Sequence, residues 1–156
     1  MMLTFCDLQV QYVPAVSLGR FQFFRPSHTL ARFKQSLDCV ALLLDQRIIT
    51  EGLVDMRGLA TMGVEEQFWV ATNWLPRVSP PPLAHVAFVM PTGNTYNQHV
   101  IEWLHRNARH YIGYEVQFFG EPCSALDWLL SFQNPAAQAA VEQEWAAHFM
   151  SPTTAS

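Results

Sequence analysis

The stretch AHVAFVM, residues 84–90, decides the fold. It is a nearly continuous apolar run of strand length, preceded by SPPP (79–82), which reads as a stiff extended connector. A strand lying on one covered face alternates apolar with polar residues. An unbroken apolar strand belongs in a sheet covered on both faces. Working outward, GLVDM (52–56) reads as another short strand. VEEQFWVATNWL (64–75) reads as a helix with Val64, Phe68, Ala71 and Leu75 on one buried stripe, ended by Pro76. On the other side, NTYNQHVIEWLHRNAR (94–109) predicts a helix with Tyr96, Val100, Trp103 or Leu104, and Asn107 in register. YEVQFF (114–119) is the next strand, and PCSALDWLLSF (122–132) a short helix with Pro122 near its first position. Pro135 opens a terminal helix over 135–149, with Val141, Trp145 and Phe149 at i, i+4, i+8; residues 151–156 read as a frayed tail.

Two strands open the chain, LTFCDLQV (3–10) and GRFQFFR (19–25), separated by Pro14 and Gly19 and close enough to pair antiparallel. A helix follows, with Leu30, Phe33, Leu37, Val40 or Ala41, and Leu44 on its apolar face, and Ser27 or Thr29 as its cap. The order β-β-α-β-α-β-α-β-α-α predicts parallel pairing with right-handed crossovers after an initial antiparallel pair. The expected fold is a small single-domain α/β sandwich over 1–150, a mixed four- to five-stranded sheet backed by helices.

Half of the 156 residues are hydrophobic and 14% are charged, so a packed core is expected without metals or disulfides. Nine basic residues against thirteen acidic ones give a net charge of −4, which argues against nucleic acid and against an anionic membrane surface. Cys6, Cys39 and Cys123 are isolated and odd in number, as small buried apolar residues in a reducing compartment would be. No apolar run approaches the ~20 residues that span a bilayer. The opening MMLTFCDLQVQYVPAVS lacks a basic segment and is interrupted by Asp7, so a cytoplasmic protein is expected.

The succession LVDMRGL, EEQFWVATNWLPR, LAHVAFVMP and YEVQFFGEPCSALDWL resembles the STAS-like proteins of the SpoIIAA-like type. These are small bacterial cytoplasmic domains with a sheet backed by helices. The resemblance covers roughly residues 35 to 130. Its most specific part is Val116-Gln117-Phe118-Phe119 followed by Ala125-Leu126-Asp127-Trp128-Leu129. In the anti-anti-sigma members a strand ends in Asp, and an Asp-Ser pair opens the next helix; that serine is phosphorylated to switch partner binding. Counted from Asp55, the pair falls on Gly63 and Val64, and neither accepts phosphate. Thr61 is the nearest hydroxyl, with the ordering of the turn as its simpler role. The phosphoswitch is therefore not carried over.

Candidate sites are few. Asp55 stands at the carboxyl end of a parallel strand, where open α/β sheets bind ligands, and Arg57 follows two residues later. They read either as a polar-ligand site or as a loop-ordering ion pair. His99, Glu102 and His105 share a helix, and Glu102-x-x-His105 has the form of half a di-iron site, but no second copy exists. No metal or cofactor is expected, and no catalytic set or nucleotide motif appears. Glu144 and His148 suit a surface contact. Cys123, at a helix start, either packs or has a lowered pKa. Trp69 lies off its helix's apolar stripe, and with Phe21, Phe23 and Phe24 it adds aromatic surface that a thin core does not easily hide. Asp55, Arg57, Thr61 and Trp69 are thus the candidate ligand-binding residues.

Three functions are weighed. The first is a non-enzymatic binding or regulatory module acting through protein contacts, expected as a homodimer. The second is a carrier of a small apolar ligand or lipid between sheet and helices, with some of Phe23, Trp69, Phe88 and Trp103 lining the cavity. The third is an enzyme using Asp55 with Arg57 or a histidine, and it ranks last.

Overall fold

The computed structural model describes residues 1–78, 81–90, 93, 95–110 and 112–150. The expected SPPP connector lies partly outside the described residues, and the 151–156 tail and the Phe149 side chain lie wholly outside them. The fold is α/β with a mixed sheet of six strands, more than the four to five expected. The strands are β1 (Met2–Phe5), β2 (Leu8–Val13), β3 (Leu18–Phe23), β4 (Glu51–Asp55), β5 (His85–Val89) and β6 (Glu115–Phe119), and they lie side by side in that order. β1, β2 and β3 run antiparallel, while β3 to β6 are parallel.

The extra strand comes from the 3–10 run, which is two strands. Phe5 pairs with Leu8, so Cys6-Asp7 is a two-residue turn, and Cys6 adopts φ 53°. That left-handed backbone matches the twist of a hairpin, and Gly or Asn normally announces it. Cys-Asp carries no such announcement.

Because strands are added in sequence order, crossovers of a single hand put every connecting helix on one face. α1 (Leu30–Asp45), α2 (Val64–Trp69) with its extension α3 (Leu75–Arg77), and α4 (Thr95–Ala108) all pack there, against Val10, Phe21, Val54, Val86 and Phe88. Thr29 caps α1, its Oγ1 accepting from the Arg32 amide. The opposite face is closed only after β6, by α5 (Pro122–Leu130) and α6 (Gln138–Met150). α5 seats Ala125, Leu126, Leu129 and Leu130 on Leu18, Leu53, Ala87 and Val89, all fully buried.

Two expected helix stripes are rotated. Val64 and Phe68 are 81% and 69% exposed, and the buried residues are Val70, Trp74 and Leu75. α2 is joined to α3 through a π turn at Val70–Trp74, where the Leu75 amide donates to the Val70 carbonyl. One extra residue per turn shifts the angular register that a 3.6-residue period assumes. Pro76, which has no amide to give, sits inside α3 rather than ending the helix. In α4, Asn97, Val100, Ile101, Leu104 and Ala108 face the core, whereas Tyr96 (51%) and Trp103 (50%) face outward.

Candidate functional site

The face formed by the start of α2 and by α4 is built around one buried side chain. Asn97 accepts from the Met62 amide at 2.8 Å through Oδ1 and donates to the Ala60 carbonyl at 2.9 Å through Nδ2. Asn97 has no exposure, and this paired clamp fixes the loop after β4 against α4. The Gln67 Nε2 amide then bridges the Met62 carbonyl at 3.0 Å and the Tyr96 hydroxyl at 2.9 Å. Val64 and Phe68, one turn apart on α2, flank the Gln67 that reaches Tyr96, and Trp103 lies two turns further along α4. Glu65 and Glu66 complement the N-terminal end of α2. The result is a set of four outward-facing apolar side chains on two helices joined through Gln67 and Tyr96. Sequence periodicity found these residues but assigned them to the core.

Of the four predicted ligand residues, the structure brings Asp55 and Arg57 into direct contact. Arg57 donates through Nη2 at 2.8 Å and Nε at 3.0 Å, and its backbone amide donates to Asp55 Oδ1 at 3.1 Å. Gln22 adds a contact at 3.4 Å. Asp55 is buried on all sides by these donors, and its hydrogen bond raises the Arg57 pKa. This is the loop-ordering pair. Ligand crevices in open α/β sheets form where the strand order reverses, and the parallel order here never does. Asp55→Asn is expected to lose about 1–2 kcal/mol in urea denaturation, with the assembly state unchanged. Trp69 instead packs edge-on against Phe33 of α1 at 6.1 Å, with Lys34 Nζ 5.8 Å from its ring. Thr61 is exposed in the loop that Asn97 clamps.

Other candidates resolve individually. His105 is half-buried against Phe118, and burial followed by the Arg109 charge lowers its pKa. His99, six residues earlier on α4, is exposed. No three His, Cys, Asp or Glu among the described residues are arranged to hold a metal. Glu144 spends its carboxylate on the N-terminal ammonium at 3.1 Å and on Gln11 at 2.9 Å. Cys123 is exposed, with Gln138 Nε2 3.6 Å from its sulfur.

One pair escaped the sequence reading. His85 Nδ1 stands 2.7 Å from Glu51 Oε2, and Glu51 also accepts from Gln133 at 3.1 Å. Phe132 stacks on the imidazole at 3.6 Å, and Trp128 meets it edge-on. A carboxylate orients a histidine this way in catalytic sites, but here aromatic rings meet it on a stacked side and an edge. The pair ties the amino ends of β4 and β5 to the end of α5. Its only trace in the sequence was a glutamate and a histidine at equivalent starts of two apolar strands.

Space between sheet and helices is small. The cavity beneath α1, α3 and α4 holds about 40 Å³, and of the four aromatics named for a carrier only Phe88 lines it. A larger apolar pocket of about 160 Å³ lies between β1–β2 and the end of α1, lined by Leu3, Val10, Tyr12, Leu43 and Ile49. No helix among the described residues is long and apolar enough to cross a membrane. No family model, no curated protein and no solved structure matches the chain.

Proposed function

We propose that this chain is a non-enzymatic binding module that acts through protein–protein contact, using the α2–α4 face, and that its first partner is a second copy of itself. The observation that carries this reading is that two helices turn the residues Val64, Phe68, Tyr96 and Trp103 to solvent while their polar neighbours hold the face rigid. Contiguous apolar surface rimmed by polar groups marks an interaction site, and aromatic anchors dominate interface energetics. The STAS-like resemblance points the same way. Where it places the switching serine of the anti-anti-sigma proteins, this chain has Gly63 and the exposed Val64, a contact that phosphate cannot regulate.

The test is sedimentation of the wild type and of Val64→Ser with Phe68→Glu. The wild type is expected to sediment as a dimer at about 50 µM and the variant as a monomer, with unchanged far-UV dichroism because neither side chain is in the core. A monomeric wild type would overturn the self-association reading, and a variant that still dimerises would overturn its placement on the α2–α4 face. The second reading, a carrier, is favoured by the pocket against β1–β2. A dry cavity of about 150 Å³ accommodates a benzene-sized molecule, whereas lipid-sized ligands need about 300 Å³ or more. Native mass spectrometry would show it as a retained mass on the order of 100 Da.

A further inference from the structure

We infer that α6 is a releasable strap, seated over a buried arginine that keeps its contact with the sheet weak. The proposal is independent of the α2–α4 face. Three observations converge on the seam between α6 and β2–β3. First, only Val141 and Trp145 of α6 are buried among its described side chains, whereas α5 buries four residues in nine. Second, the sheet surface beneath α6 is polar. Gln11 and Arg20 are paired across β2 and β3, and Gln9 and Gln22 lie on the same face. Third, the buried side-chain atoms left without a hydrogen-bond partner, among the described residues, are Gln11 Oε1, Arg20 Nε and Arg20 Nη1. All three lie in this seam.

Arg20 is 3% exposed. Its Nη1 forms an ion pair with Glu142 Oε2 at 3.7 Å, longer than a hydrogen bond, and its guanidinium rests 3.9 Å from the Trp145 ring. Burial lowers its pKa against the opposing pull of Glu142 and Asp55, with Arg57 adding to the lowering. A buried donor without a hydrogen-bond acceptor costs more than a made hydrogen bond returns, and the long ion pair to Glu142 offsets only part of that cost, so the seam is the contact that opens first. Gln11 Nε2 to the Val141 carbonyl and Glu144 to the N-terminus hold the helix down by polar ties that water can replace. α5 keeps its own apolar seat when α6 leaves.

The test is amide hydrogen exchange on the full chain. In the wild type, amides of α6 are expected to exchange at least about tenfold faster than those of α5, as units of separate stability do. Trp145→Ala should strip α6 of protection and leave α5 and β4 unchanged. Arg20→Met, which removes the unpartnered donors and keeps the volume, should slow α6 exchange several-fold. Equal protection of α6 and α5 in the wild type overturns the proposal, and that comparison needs no variant. So does loss of α5 protection in Trp145→Ala, or faster α6 exchange in Arg20→Met.

Discussion

Asp7→Asn is expected to destabilise the protein by about 3 kcal/mol, measured by urea denaturation near neutral pH. Asp7 sits in the β1–β2 turn with 1% exposure, and three side chains converge on its carboxylate. Arg25 Nε donates at 2.6 Å, Arg32 Nη2 at 2.9 Å and Ser27 Oγ at 2.8 Å. Its backbone is tied as well, since its amide donates to Ser36 and its carbonyl accepts from Phe24. An asparagine would turn amide hydrogens toward arginine donors. Both arginines are about half exposed, so water takes up part of their charge and keeps the loss near the lower end for a broken buried pair. Burial alone would raise the Asp7 pKa, but the hydrogen bonds from Arg32, Arg25 and Ser27 together hold it well below the usual carboxylate range. A depressed carboxyl stabilises the fold above its unfolded pKa of about 4, and that contribution fades as pH falls below it. The gap between wild type and Asp7→Asn should therefore be constant from pH 5 to 8 and narrow below about pH 4.

Gly58→Ala is expected to cost nearly as much, about 2–3 kcal/mol, seen as a melting temperature lower by roughly 5–10 °C. A Cβ there would stand 2.0 Å from the Phe23 carbonyl oxygen and 3.0 Å from its carbon. Both atoms are backbone and cannot swing aside. The β4–α2 loop must lift from the end of β3, and with it the Asp55–Arg57 pair and the Asn97 clamp. Gly113→Ala, where an added Cβ meets nothing within 4 Å, serves as the near-neutral control. If both variants melt alike, the loop is not seated as described.

The parallel half of the fold was legible because its strands are the strongest signal a sequence carries. AHVAFVM and GLVDM are buried on both faces, and each lies within a residue of its observed bounds. The antiparallel start was harder. Its hairpin turns through Cys6 without glycine or asparagine, and its polar Gln9 and Gln11 look solvent-facing but are buried, Gln11 beneath α6. Helix positions were found, and so were the buried faces of α1 and α6, yet those of α2 and α4 were found only in part. Periodicity selects an apolar stripe, and in α2 and α4 part of that stripe points outward, so the feature that misled the reading is the one that now suggests function. The ion pair at Asp55 was visible from spacing, whereas Glu51–His85 joins residues 34 apart and needed the parallel register to appear.

The order of the strands also bears on how the chain is made. Each strand's partner in the sheet is its neighbour in the sequence, so no strand waits for a later one before it can pair. Long loop closures are what slow the assembly of parallel sheets, and here each closure spans a single helix and its connections. During synthesis the sheet can lengthen strand by strand as the chain emerges. Its second face then stays bare until residues 122–130 arrive, which makes that interval the moment when a nascent chain most needs shielding from its neighbours.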